Sequence, residues 1–191
     1  MNNPEYVKIN DKKYKINTDY RIALECNKVA MDTSIGDYER SLAIIYLLFG
    51  DEGLNDKKNH GELLKLAIKY LRCGEDKIDD SNEEPNMDFE QDFRLIKTSF
   101  RSDYGIILEN EEMHWWDFYD NLKGLTENCV LNRVREIRDY DLSTVKDPKE
   151  RRKLEKAKKI FALNKKEKNL TEKQRKSVDS FYKLTGLKRK E

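Results

Sequence analysis

Five side chains, Phe89, Phe93, Ile96, Phe100 and Tyr104, recur at intervals of three and four residues, and Gly105 follows at once. With about 3.6 residues per turn, that spacing lines all five along one face of an α-helix. Asp88 with Gln91 has the form of a capping box and predicts the helix start. Gly105 predicts its left-handed stop, with the apolar Ile106 folding back behind it. A helix striped in this way must bury that stripe against another element, which commits the chain to helix packing.

The same periodicity organises most of the remaining sequence. Thr18 or Asp19 caps a helix reaching about Met31, with Ile22, Val29 and Ala30 offered for burial. A second helix begins at Asp37; its segment 42–49 is apolar all round, which predicts burial on most sides, and Gly50 and Gly53 end it. A third runs from about His60 to Gly74, with Leu63, Leu64, Ala67, Ile68 and Leu71 at helical spacing. Trp115, Phe118, Leu122 and Leu125 share one face of a later helix, and Thr126 caps another that carries Val130, Val134 and Ile137. Asp147 at the cap with Pro148 at the first position starts a helix bearing Leu154, Ala157, Ile160 and Phe161. After a basic linker over residues 164–170, Thr171 with Gln174 caps the last, which presents Val178, Phe181, Tyr182 and Leu184 and stops at Gly186.

Only residues 6–16 break the helical pattern. Tyr6, Val7 and Ile9 precede the turn formers Asn10 and Asp11, and Tyr14 and Ile16 alternate after them, so a short hairpin is expected. The fold class that follows is mainly α: a bundle-like domain of seven or eight helices, a small N-terminal hairpin and a basic helical C-terminal extension. The expected division is 1–17 for the hairpin, 18–146 for the helical core and 147–191 for the extension.

Charged residues form 39% of the chain, against about 25% in an average globular protein. The net charge of +1 conceals a segregation, because residues 146–191 hold 18 Lys and Arg against 7 Asp and Glu, and residues 1–145 hold 20 against 30. Opposite halves of this kind attract each other or attract different partners.

Cys26, Cys73 and Cys129 are odd in number and form no C-x-x-C pair, which argues against a disulfide framework or a zinc site. The opening residues lack the basic and apolar regions of a secretory signal. The longest apolar run, 42–49, is eight residues, far short of the ~20 that span a bilayer. A soluble intracellular protein is the expectation.

Chemistry is sparse. The two histidines, His60 and His114, stand in no H-E-x-x-H, and no G-x-S-x-G, Walker loop or dinucleotide turn occurs. The acidic stretch 75–86 lacks the D-x-[DN]-x-[DN]-G spacing of a calcium loop and reads as a solvated linker. No catalytic, cofactor or metal residue is assigned, and an enzyme is not expected.

The densest unusual feature is His114-Trp115-Trp116-Asp117-Phe118-Tyr119. Adjacent tryptophans on a helix point about 100° apart, so one enters the core with Phe118 and the other lies at a boundary. Trp116 is then either a half-buried edge residue or, with Tyr119, a partner anchor of the kind enriched at interface hot spots. His114 is read as a structural hydrogen-bond former. His114, Trp115, Trp116, Phe118 and Tyr119 constitute the candidate partner-binding set. The basic tail suits a solvated face or an acidic protein surface better than nucleic acid, because Glu150, Glu155 and Glu167 interrupt it and aromatics are few.

The blocks Asp88-Phe89-Glu90-Gln91-Asp92, Ser99-Phe100, Tyr104-Gly105-Ile106 with Leu108, and His114-Trp115-Trp116-x-Phe118 resemble the bacteriophage family labelled "gp fifteen". Leu122, Gly124-Leu125, Arg135-Glu136-Ile137-Arg138 and the run Asp147-Pro148-Lys149-Glu150-Arg151-Arg152-Lys153 continue the resemblance. It covers residues 37–163 and is strongest over 88–147. Ile107 departs from the family's pattern, which often places an acid there.

The resemblance implies a protein from the tail-assembly region of long-tailed phages of Gram-positive bacteria, encoded beside the tape measure gene. Proteins from that position are typically tail assembly chaperones that coat the tape measure protein and recruit tail tube subunits. Those proteins are the implied partners, with self-association as a further expectation and no membrane. The implied setting is the host cytoplasm during assembly, with absence from the mature virion. The alternatives are a nucleic-acid-binding phage protein using the basic C-terminal helices, or a minor structural tail component.

Overall fold

The computed structural model describes residues 3–75 and 85–164. Among them are seven α-helices and one two-stranded antiparallel hairpin, so the fold is mainly α as expected. The expected last helix, the basic linker before it and most of the acidic stretch lie outside the described residues. The chain divides into two compact units, one comprising the described parts of Met1–Asn82 with Glu112–Tyr119, the other those of Glu83–Glu111 and Asp120–Glu167.

The first unit opens with β1 (Tyr6–Ile9) and β2 (Lys12–Lys15), in register Val7 to Tyr14 and Ile9 to Lys12. Asn10 takes the turn's left-handed backbone at φ 52°, which asparagine tolerates better than most residues. A lone hairpin is marginal in water. Here Ile9, Tyr14 and Ile16 are buried, and the Tyr14 ring meets Phe49 edge-on at 6.4 Å.

Helices α1 (Tyr20–Met31), α2 (Asp37–Asn55) and α3 (His60–Leu71) complete this unit with the segment Glu112–Tyr119. Asp19 caps α1, its carboxylate accepting from Arg21 N at 2.8 Å. The buried face of α1 is Tyr20, Ala23 and Cys26, and the expected Ile22, Val29 and Ala30 are only half-buried. Tyr20 stacks on Phe118, and the small Ala23 and Cys26 follow it at spacings of three, so the aromatic anchor rather than the bulk of the aliphatics sets the inward face. Along α2, Ile44, Ile45, Leu48 and Phe49 are buried, whereas Tyr46 is 51% exposed. Leu42, Ala43 and Leu47 are half-buried, so within 42–49 Tyr46 alone departs from the expected burial on most sides. Gly50 leaves the helical conformation (φ 63°, ψ −158°) and ends the first stretch as expected, but helix resumes beyond it to Asn55, so Gly53 is not a stop. Gly53 lies in the resumed turn, where an added Cβ would meet Phe49 Cβ at 2.6 Å, so its smallness is a packing requirement. On α3 the inward residues are Leu63, Leu64, Ala67 and Tyr70.

The second unit holds α4 (Phe93–Tyr104), α6 (Val130–Asp139), α7 (Pro148–Phe161) and residues 120–123 of α5 (Trp115–Lys123). Gly105 ends α4 in the left-handed conformation, and Ile106 N donates back to Phe100 O at 3.3 Å, the stop read from sequence. The start is corrected: α4 begins at Phe93, and Asp88 caps a preceding turn by accepting from Glu90 N and Gln91 N. Phe89 therefore leaves the helical stripe. Thr126 does not cap α6 either; its N and Oγ1 both donate to Asp103, and Cys129 occupies the cap. That shift turns Leu131 and Val134 inward and leaves Val130 and Ile137 half-buried. Asp147 caps α7 through Lys149 N at 2.9 Å with Pro148 in the first turn, as expected.

Candidate interaction site at the paired tryptophans

The segment carrying the tryptophans is tied to the start of α1 by its backbone. Tyr20 N donates to Met113 O at 3.0 Å and Trp115 N to Thr18 O at 2.7 Å, an antiparallel bridge between Asp19 and His114. His114 is half-buried and precedes α5. Its Nδ1 accepts from Trp116 N at 3.0 Å, so the ring proton sits on Nε2, which faces Pro4 O at 3.2 Å. The imidazole thus acts as an N-cap, satisfying one of the amides that a helix start leaves without a partner.

Both indoles serve the far end of α3. The Trp115 Nε1 donates to Leu71 O and the Trp116 Nε1 to Tyr70 O, each at 3.0 Å. These are among the last carbonyls of the helix, beyond the reach of its own i+4 amides; Tyr70 O also accepts from Cys73 N at 2.9 Å. The divergence that keeps neighbouring tryptophans off one face here lets them reach two consecutive carbonyls. Trp116 also stacks on Tyr70 with centroids 6.1 Å apart, and it lies over Gly74, where an added Cβ would stand 3.3 Å from the ring.

Trp115 and Phe118 are core residues, 1% and 0% exposed. Phe118 stacks almost parallel on Tyr20 at 4.8 Å, and Trp115 lies 5.6 Å from both Phe118 and Tyr119. His114, Trp116 and Tyr119 are half-buried. The five sequence-chosen residues are therefore brought together, with two committed to the interior and three at its border. The Trp116 indole N–H is already occupied, and its ring is stacked on Tyr70.

Burial shapes the ionisable groups beneath. It pushes the Cys26 thiol up to about 12 and raises the Tyr70 phenol well above its ordinary range. The Tyr70 hydroxyl has no hydrogen-bond partner among the described residues. At the hairpin, Asp56 is held down at about 2, chiefly by the hydroxyl of Tyr14 donating at 2.6 Å and then by Lys12 at 3.0 Å. Among the described residues no group of three His, Cys, Asp or Glu is placed to hold a metal ion.

Two grooves escaped the sequence reading. In the first unit, Ile16, Ile22, Tyr46 and Leu47 line an open hollow of about 640 Å³ beside the Gly50 break. In the second, Arg94, Lys97, Thr98 and Arg101 of α4 border one of about 310 Å³ with Ile106 and Ile107. The helical spacing of those α4 residues was visible, but nothing local marks a face as concave. Among the described residues no helix is long and apolar enough to cross a membrane.

The family model described as Bacteriophage Gp15 protein matches residues 1–163. The match takes in the N-terminal hairpin, which the resemblance read from residues 37–163 had left out. No curated protein and no solved structure matches the chain.

Proposed function

The chain belongs to the Bacteriophage Gp15 protein family, and from that premise we propose that it is a tail assembly chaperone that binds the tape measure protein, tail tube subunits or both. The family match over residues 1–163 carries the reading, because it spans every described helix and strand. The physical chemistry of the surface supports it. A chaperone for a long helical protein needs apolar anchors on a surface that stays soluble when crowded. The rings of Trp116 and Tyr119 and the Tyr46 hollow supply the first, and a 39% charged composition supplies the second. The action is binding without catalysis, in the host cytoplasm during assembly, and the protein is left out of the finished virion.

Co-expression with the tape measure protein of the same phage, followed by affinity purification and light scattering, tests the proposal. The expected result is a soluble complex with several copies of this chain on a tape measure protein that is insoluble alone. Failure to co-purify, with the tape measure protein still insoluble, overturns it. Recovery of this chain from purified virions favours the minor structural component instead.

A further inference from the structure

Helix α7 has two unlike sides. Leu154, Ala157, Lys158 and Phe161, at spacings of three and four, are half-buried, and Lys158 Nζ donates to Tyr140 O at 2.6 Å. On the opposite side Lys149, Arg152, Lys153 and Lys156 repeat the same spacing and are exposed. They lie within about 10 Å of helix length, at 1.5 Å rise per residue. Among the described residues no carboxylate forms an ion pair with any of the four.

The glutamates that interrupt this stretch in sequence do not interrupt it in space. Glu150 is about a quarter-turn away from the outward stripe, toward the half-buried side, and Glu155 is engaged by Lys159 at 3.1 Å. Ile160, 67% exposed, extends the stripe by one apolar residue. Like charges this close repel one another, so an anionic surface laid over the face relieves that repulsion as it binds.

The chain carries a dense anionic stretch in its own sequence. Residues 75–92 carry nine carboxylates against one lysine; Asp92 is committed to Arg138, Asp88 caps its own turn, and Glu75 and Glu90 have partners of their own. We propose that the outward face of α7 on one copy docks the acidic stretch 75–91 of a second copy. Each copy then offers one cationic and one acidic surface, a heterologous contact that extends into an open row instead of closing as a dimer. A second copy fits better than nucleic acid for two reasons. The excess of 10 carboxylates in residues 1–145 nearly matches the excess of 11 cations beyond them, so a second copy brings its own anionic counterpart to the stripe. The four-cation stripe also presents no aromatic ring for base stacking. This self-association does not depend on the chaperone reading, and its test contains no tape measure protein.

Sedimentation velocity of the full chain and two charge-reversed variants decides the matter. One variant carries Lys149→Glu, Arg152→Glu, Lys153→Glu and Lys156→Glu; the other carries Asp79→Lys, Asp80→Lys, Glu83→Lys and Glu84→Lys. The unaltered chain is expected to associate with rising concentration at about 25 mM salt and to fall to monomer at about 500 mM, where screening shortens to a few ångströms. Each variant alone, with unchanged helical circular dichroism, is expected to remain monomeric, and mixing the two restores association. Recovery on mixing distinguishes contact between copies from contact within one, which mixing cannot repair. A monomeric unaltered chain at low salt, variants that associate as it does, or a mixture that stays monomeric each overturns the proposal. So does a duplex DNA whose fluorescence anisotropy reports binding that the first variant loses while its self-association persists.

Discussion

Arg138 and Asp92 meet as a two-pronged ion pair, with Nη1 and Nη2 each donating to one carboxylate oxygen at 2.7 and 2.8 Å. The same guanidinium donates to Asn86 O at 2.8 Å and, from Nε, to Phe161 O at 2.7 Å. One side chain on α6 therefore holds the entry to α4, the turn before it and the end of α7. Both partners are buried, at 8% and 2% side-chain exposure.

Removing one member of such a pair leaves the other charged and dry. Arg138→Ala is expected to destabilise the second unit by about 3–5 kcal/mol. Arg138→Lys recovers only part of that, because an ammonium cannot reproduce the planar fork. Unfolding in guanidinium chloride followed by circular dichroism measures both; equal stability of Arg138→Ala and the unaltered chain would refute the clamp.

Trp116→Phe keeps a ring over Tyr70 and Gly74 but deletes one of the two donors to Tyr70 O, leaving Cys73 N. Loss of this one half-buried hydrogen bond is expected to cost about 1 kcal/mol. Gly74→Ala attacks the same corner from below, since Gly74 has φ +78° and an added Cβ would press on the Trp116 ring. About 1–2 kcal/mol of destabilisation is expected, from left-handed strain on a β-carbon. Both are read from thermal unfolding, and additivity of the double variant would mean that the indole and the glycine are not coupled.

How far the sequence revealed this depends on whether each feature is local. The Gly105 stop and the Asp147-Pro148 start were legible because both are set by neighbouring backbone and side-chain chemistry. The start of α4 was not. Asp88 and Gln91 have the residue types of a cap, but Asp92, which ends up preceding the helix, is fixed by Arg138, 46 positions away. The buried face of α1 is hard to read from sequence because Ala23 and Cys26 are small, and the larger Ile22 and Val29 compete with them for the inward position. At the tryptophan site, the helical spacing of Trp115 and Phe118 was enough to send one indole into the core and leave the other at its edge. It held no sign that the two indole donors would serve consecutive carbonyls at the end of α3, since that pairing joins residues 44 and 46 positions apart.

Cys26 is buried and its thiol is pushed up to about 12 by desolvation, with Glu25 adding to the rise. At about pH 8 almost none of it is the reactive thiolate. Iodoacetamide is therefore expected to modify the half-buried Cys73 well before Cys26, which labels only after denaturant is added. Peptide mapping by mass spectrometry gives the order, and early labelling of Cys26 in the folded chain would contradict the burial.

Asp56 ties the hairpin to the end of α2, accepting from Tyr14 Oη, Lys12 Nζ and Asn59 Nδ2. Those donors favour its ionised form, so its folded pKa is held at about 2, below the ordinary 3.8. A depressed carboxylate stabilises the fold in full above its unfolded pKa, and the benefit is lost as the pH falls through the folded one. The window for this group is therefore from about pH 4 down to about pH 2. Other carboxylates titrate in the same range, so the difference between the unaltered chain and Asp56→Asn is the informative quantity. Above pH 4 the variant is expected to be less stable by a constant margin. As the medium is acidified the margin narrows, because the unaltered chain loses a charge that the variant never carried. Urea unfolding at intervals across that range measures it. A margin that stays constant down to pH 2 would mean that the carboxylate's charge does not hold the hairpin in place.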